Sequence, residues 1–227
     1  MKINEQFSKY AAHYGRYNVI QEQVATTLLS HVHNKPKRIL DLGCGSGALV
    51  NKIDWEYEQF TGVDFAQGML DLHPKSKSIE CIYGDFNDPK LYEQLRLRDF
   101  DYILSSSALQ WTKDLNQVMA NIQEFNAPVS LAIFTSGTFE TLHKTAFLKP
   151  LLRSKEEVYE LQKKHFDANF EVMQYKLEFE NTRDMFRYIK KSGVSGSRNE
   201  LSYKETKALM NEYPLNYLEF EVVFIYS

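Results

Sequence analysis

A short apolar run, Arg38-Ile39-Leu40-Asp41-Leu42, passes at once into Gly43-Cys44-Gly45-Ser46-Gly47. Glycines this dense, directly after a predicted strand, allow a tight turn and let a ligand lie against bare backbone. A helix is predicted over 48–53, so the segment reads strand, glycine loop, helix, the layout of a nucleotide site. Gly43, Gly45 and Ala48 also satisfy G-x-G-x-x-G/A, a pattern that does not by itself choose among nucleotide cofactors.

The rest of the chain repeats the alternation. Strands are predicted at 59–64, 79–83, 100–104 and 129–134, with helices near 67–72 and 115–125. Strands alternating with helices imply an α/β fold, a mostly parallel sheet wound on both faces. Before it, Phe7, Tyr10, Tyr14, Tyr17, Ile20, Val24 and Leu28 recur in steps of three and four, one helical face, or equally two helices with a break near Gly15. After it, 138–166 reads as helical, 171–180 as a half-buried strand, 182–191 and 203–211 as helices. Leu218, Phe220, Val222 and Phe224 alternate through a last strand, expected to run antiparallel. No repeat or linker interrupts the chain, so a single domain over 1–227 is expected. It divides into an N-terminal helical segment (1–34), a cofactor-binding core (35–136), helical insertions (137–170 and 182–212) and terminal strands (171–180 and 217–227).

Composition removes several alternatives. With 43% hydrophobic residues the chain can bury a sizeable core, and its net charge of −3 supplies no global basic field for nucleic acid. Two cysteines, Cys44 and Cys81, make no disulfide framework and lack metal-ligand spacing. The polar start has no signal-peptide pattern, and no apolar run approaches the roughly 20 residues that span a bilayer. A cytoplasmic protein without membrane or nucleic-acid partners, and without a bound metal, is expected.

The acids then narrow the cofactor. Asp41 before the glycines resembles the first motif of class I S-adenosylmethionine-dependent methyltransferases, where the loop packs against the methionine part of the cofactor. Asp64 closes the second strand, where a carboxylate can accept both ribose hydroxyls, as it also would for NAD. Gly84-Asp85-Phe86 follows the third strand, and the same resemblance implies that Asp85 takes the adenine amino group between Phe65 and Phe86. Cys44, Gly47, Met69 and Ser105 complete the expected cofactor contacts. Singly, Asp41 or Asp85 also reads as a cap or turn residue; together, at the ends of successive strands, they point to a cofactor site.

Other segments carry a closer resemblance: residues 7–14 (FSKYAAHY), Ser105-Ser106-Ser107-Ala108-Leu109-Gln110-Trp111, residues 134–139 (FTSGTF), residues 186–190 (FRYIK) and residues 213–217 (YPLNY). In this order they resemble the malonyl-acyl-carrier-protein O-methyltransferases of biotin synthesis. The chain departs from that family at Asn126-Ala127-Pro128 and in its short 194–199 segment. The resemblance implies helices over the active site, S-adenosylmethionine as cofactor and methylation of the carboxylate of a malonyl thioester on acyl-carrier protein or coenzyme A. A carboxylate is ionised at neutral pH, so no general base is required and no catalytic residue is assigned.

Tyr14, Tyr17, Gln110, Trp111, Arg187 and Lys190 are the candidates for holding that carboxylate. Core packing explains the two tyrosines equally well, and a solvated helix face explains Arg187 and Lys190. Lys144, Lys149, Arg153, Lys155, Lys163 and Lys164 could dock an acidic carrier, or form a mixed surface with Glu156, Glu157 and Glu160. Three other readings stay open: methylation of another small acid such as a trans-aconitate-like carboxylate or of another small metabolite, an NAD-dependent dehydrogenase, and a regulator that only keeps the fold.

Overall fold

The computed structural model describes residues 18–192 and 202–227. Seven strands form one sheet in the order β3-β2-β1-β4-β5-β7-β6. They are β1 Arg38–Leu42, β2 Gln59–Asp64, β3 Ile79–Tyr83, β4 Tyr102–Ser106, β5 Val129–Phe134, β6 Asn169–Glu178 and β7 Tyr217–Tyr226. The first five pair in parallel, and β7 runs antiparallel between β5 and β6.

Alternation along each strand splits the core in two. Ile39, Leu104, Phe134 and Phe224 face one layer, made by α1 (Val19–Ser30), α7 (Thr182–Ser192) and α8 (Tyr203–Glu212). Leu40, Ile103, Ile133 and Val223 face the other, made by α3 (Pro89–Leu95), α4 (Leu115–Gln123) and α6 (Lys155–His165). Burial on both faces is why the parallel strands read as nearly continuous apolar runs. On α1, Ile20, Val24, Ala25 and Leu28 are fully buried, and Ser130 Oγ donates to the Leu28 carbonyl at 3.1 Å. Each of the larger side chains among them contributes about 2 kcal/mol by leaving water.

Several boundaries differ from the sequence reading. Helix α3 was not expected. Asp88 caps it by accepting from the Lys90 amide, Pro89 occupies its first turn, and Leu91, Tyr92 and Leu95 bury its inner face. Over 48–53 there are turns rather than a regular helix. Asn51 bonds Gly47 and Ile53 bonds Leu49, but the Lys52 amide takes the Leu49 carbonyl and interrupts the ladder. Strand β4 begins two residues late, at Tyr102, whose register partner is Ile39. Asp101 instead accepts from the Lys37 and Arg38 amides and from the Arg38 guanidinium. Strand β6 likewise starts at Asn169 and ends at Glu178, two residues earlier than expected.

The 138–166 stretch is two helices, α5 (Glu140–Thr145) and α6, with α2 (Gln67–Leu70) the short helix after β2. Phe147 ends α5 in the left-handed region, φ 54°. Its amide bonds the Lys144 carbonyl and the next amide, Leu148, reaches back to His143, a Schellman closure with phenylalanine where glycine is usual. Ser154 then caps α6 through the Glu157 amide.

Glu221 on β7 pins the loop after β5. It is buried, and its carboxylate accepts from Thr135 Oγ1 at 2.6 Å, Gln174 Nε2 at 2.8 Å and Lys155 Nζ at 3.0 Å.

Candidate functional site

Strand order reverses between β1 and β4, since β1 leads on to β2 on one side while β4 lies on the other. Such a switch point opens a crevice at the carboxyl ends of parallel strands. A cleft of about 760 Å³, counting its open mouth, lies there, lined by the loops after β1, β2, β3 and β4 and by α1.

The glycine loop forms its floor. Gly43, Gly45 and Gly47 have φ of 81°, 52° and 92°. The Gly43 and Cys44 amides both donate to the Val63 carbonyl, at 2.8 and 3.0 Å. A Cβ on Gly43 would stand 2.2 Å from the Ala108 Cβ, so glycine is required by space as well as by conformation. Gly47 presses on Pro74 and does not line the cleft. Gly62, within β2 and not singled out from sequence, makes room for Cys44, whose Sγ would be 2.8 Å from an added Cβ.

Two carboxylates face the cleft with no cation in ion-pair contact among the described residues. Asp41 is 1% exposed, and its Oδ1 has no hydrogen-bond partner. Asp64 is 8% exposed; its Oδ2 accepts from the Gly45 amide at 2.9 Å and its Oδ1 from the Ala66 amide at 2.8 Å. Burial raises the pKa of both, and the charge of Asp64 raises Asp41 further. Burial, and then the same two acids, push the Cys44 thiol well up, so it stays protonated and is a poor nucleophile. Among the described residues no three His, Cys, Asp or Glu side chains are grouped to hold a metal.

Beside the acids stand Met69 and two rings, Phe65 and Phe86, with centroids 6.3 Å apart and planes at 43°. They form one tilted aromatic wall rather than two parallel jaws. Tyr92 of α3 donates to the Phe86 carbonyl at 2.9 Å, so the unexpected helix holds this wall. Asp85 and Gly84 do not line the cleft. Asp85 Oδ1 accepts from the Asn87 amide and side chain, at 2.8 and 2.7 Å, and Gly84 packs against Leu91. Ser105 is also set back, because its hydroxyl donates to the Leu42 carbonyl at 2.6 Å and ties β4 to β1. Its neighbours Ser106 and Ser107, which the sequence reading passed over, line the cleft instead.

Asn18 and Gln21 of the α1 segment and Trp111 complete the lining. Gln110 points elsewhere. Its Nε2 donates to the Ser107 carbonyl at 2.7 Å, and its Oε1 is buried without a partner, an acceptor and therefore unsuited to a carboxylate. Arg187 is turned to Asp184 one helical turn away, at 2.6 Å, with both side chains exposed, and lies outside the lining. Lys190 lies on α7, but its side chain, like Tyr14 and Tyr17, falls outside the described residues. Of the basic residues after β5, Lys144 pairs with Glu140, Arg153 with Glu157 and Lys155 with Glu221. The Arg153 guanidinium also donates to the Thr112 hydroxyl and carbonyl, at 3.2 and 2.8 Å, fixing the end of the short Leu109–Trp111 turn. The cleft as a whole suits a ligand with cationic centres, hydroxyls and a flat ring.

Comparison with known proteins agrees with this geometry. Residues 39–128 match the family described as a methyltransferase domain. A malonyl-[acyl-carrier protein] O-methyltransferase of Bacillus cytotoxicus is 27% identical over 91% of this chain and 80% of its own length. One of Anoxybacillus flavithermus is 26% identical over 96% and 90%. Among solved structures, the YcgJ protein of Bacillus subtilis has a TM-score of 0.59 at 13% identity, covering 89% of this chain and 97% of its own. A phosphoethanolamine N-methyltransferase of Haemonchus contortus in complex with S-adenosylhomocysteine has a TM-score of 0.53 at 17% identity, covering 88% and 52%. At these identities the structural likenesses are likenesses of fold.

Proposed function

We propose that this chain, an S-adenosylmethionine-dependent methyltransferase by its methyltransferase-domain match and its relatives, methylates the free carboxylate of a malonyl thioester on acyl-carrier protein or coenzyme A. The cofactor fits the cleft on chemical grounds. It carries a sulfonium and an ammonium, and the cleft offers two buried carboxylates, one with an orphaned oxygen. Each Asp64 oxygen accepts one amide and keeps a lone pair for a ribose hydroxyl. When bound, the cofactor supplies an electrophilic methyl group.

One observation carries the choice of acceptor. Apart from Asp41 and Asp64, which belong to the cofactor end, the described lining contains no His, Lys, Arg, Tyr or Glu. An amine or hydroxyl acceptor needs a group to take its proton; a carboxylate arrives already ionised. The remaining polar side chains of the lining, Asn18, Gln21, Ser46, Ser106, Ser107 and the Trp111 indole, can orient an anion without quenching it as a nucleophile. Transfer from a cation to an anion gives neutral products, so a cleft that excludes water favours it. The names of the relatives supply the malonyl carrier.

The test is to incubate the protein with S-adenosylmethionine and malonyl-acyl-carrier protein and weigh the carrier. A gain of one methyl group that alkali removes supports the reading. No gain from a protein that binds S-adenosylhomocysteine overturns the malonyl assignment, and free dicarboxylic acids are then the acceptors to try.

A further inference from the structure

Three consecutive serines, 105–107, carry the chain out of β4, and the hydroxyl of the first ties β4 to β1. Ser107 differs from both neighbours in its backbone. Its φ is 60°, the left-handed region that a residue with a side chain adopts at a cost. The surroundings impose that conformation. The Ser107 amide donates to the Ala132 carbonyl at 2.9 Å, and the Ser107 carbonyl accepts from Gln110 Nε2 at 2.7 Å. One residue on, Ala108 abuts Gly43, where no side chain could stand. The turn is thereby fixed between β5, the short Leu109–Trp111 turn and the glycine loop.

The reward for this strain is not visible in the protein itself. Ser107 lines the cleft, and its Oγ is shut off from solvent with no hydrogen-bond partner. A desolvated, unsatisfied hydroxyl on a strained residue is a double cost that a ligand would relieve. As a neutral donor it suits an anionic oxygen acceptor, and it is distinct from every residue the sequence suggested for that task.

Resting on the carboxyl-transfer reading above, we propose that Ser107 Oγ–H is the donor that holds one oxygen of the acceptor carboxylate, which makes Ser107 the residue that selects the substrate. The other oxygen gives a lone pair to the methyl carbon. As that bond forms, the carbon–sulfur pair stays on the departing sulfur, and no proton changes place. A neutral donor leaves the free oxygen more nucleophilic than a lysine or arginine would.

Two substitutions separate this role from a structural one. Ser107→Gly removes the hydroxyl and relieves the backbone; Ser107→Ala removes the hydroxyl and keeps the backbone cost. With malonyl-acyl-carrier protein as the probe, both raise KM about tenfold or more, the scale of one hydrogen bond to a charged group. Affinity for S-adenosylhomocysteine is unchanged in both, and Ser107→Gly melts at or above the wild-type temperature. A KM equal to wild type in a folded Ser107→Gly protein, with the wild type active, overturns the assignment alone. A wild type that binds S-adenosylhomocysteine and transfers no methyl group to the thioester overturns the carboxyl-transfer reading, and the assignment with it.

Discussion

Asp64 lies two residues beyond Gly62, the register partner of Asp41 on the adjacent strand, and its charge adds to burial in pushing the Asp41 carboxyl well above the ordinary aspartate range. A raised folded-state pKa means that the native protein binds protons the unfolded chain has released. Stability from this source is therefore fully present below the ordinary value of 3.8 and is lost as pH rises through the raised one. A cationic ligand reverses the loss, because it pairs with the ionised form. Melting curves over this window are expected to show the ligand-free protein weakening toward neutrality while stabilisation by S-adenosylmethionine grows. Asp41→Asn should flatten both trends and weaken cofactor binding at least tenfold, the scale of one charged contact. A ligand effect independent of pH would refute the paired-carboxylate account.

Gly43→Ala meets two obstacles, a left-handed φ and the Ala108 Cβ 2.2 Å away. The expected loss is more than about 2 kcal/mol, with cofactor binding abolished. Adding Ala108→Gly removes the contact but not the backbone cost of about 1 kcal/mol, so the double variant should recover only part of the stability. Full recovery in a denaturant titration would show that space alone demands glycine.

Glu221 binds charge and loop together. Burial would raise its pKa, but hydrogen bonds from Thr135, Lys155 and Gln174, with the charge of Lys155, outweigh it and the pKa is lowered. Its contribution is present above the ordinary 4.5 and disappears as pH falls through the lowered value. Glu221→Gln should cost about 2 kcal/mol, and Lys155→Met, at the half-exposed end of the pair, less than about 1 kcal/mol. Urea unfolding that ranks the two in reverse order would contradict this account.

Phe147 is 96% exposed and holds the left-handed position of a helix closure. Removing its side chain sacrifices no packing. Phe147→Gly should stabilise by about 1 kcal/mol and raise the melting temperature by about 3 °C. A lower melting temperature would contradict this account of the helix closure.

Much of the site was readable because glycine and aspartate are informative at strand ends. The runs behind β1, β2, β3 and β5, and the acids Asp41 and Asp64, stand where the alternation put them. Other features depend on partners distant in sequence. Helix α3 had its Asp88-Pro89 start in view, but seven residues give too short an apolar stripe to register. Gln110 turned inward because of the Ser107 carbonyl, and Ser107 took its left-handed turn because Ala132 and Gln110 bond it there. No periodicity announces such a turn. The sequence points to Asp85 and Ser105 as ligand contacts, and local hydrogen bonds to Asn87 and Leu42 account for where the structure puts them.

Strand β6 joins the sheet through β7, which follows it in sequence by some forty residues and inserts between it and β5. During synthesis the parallel strands can assemble as they emerge, but β6 has to wait, and the open side of β5 waits with it. Both are unpaired edges until β7 leaves the ribosome, a high-contact-order step that leaves the nascent chain exposed to association with its neighbours.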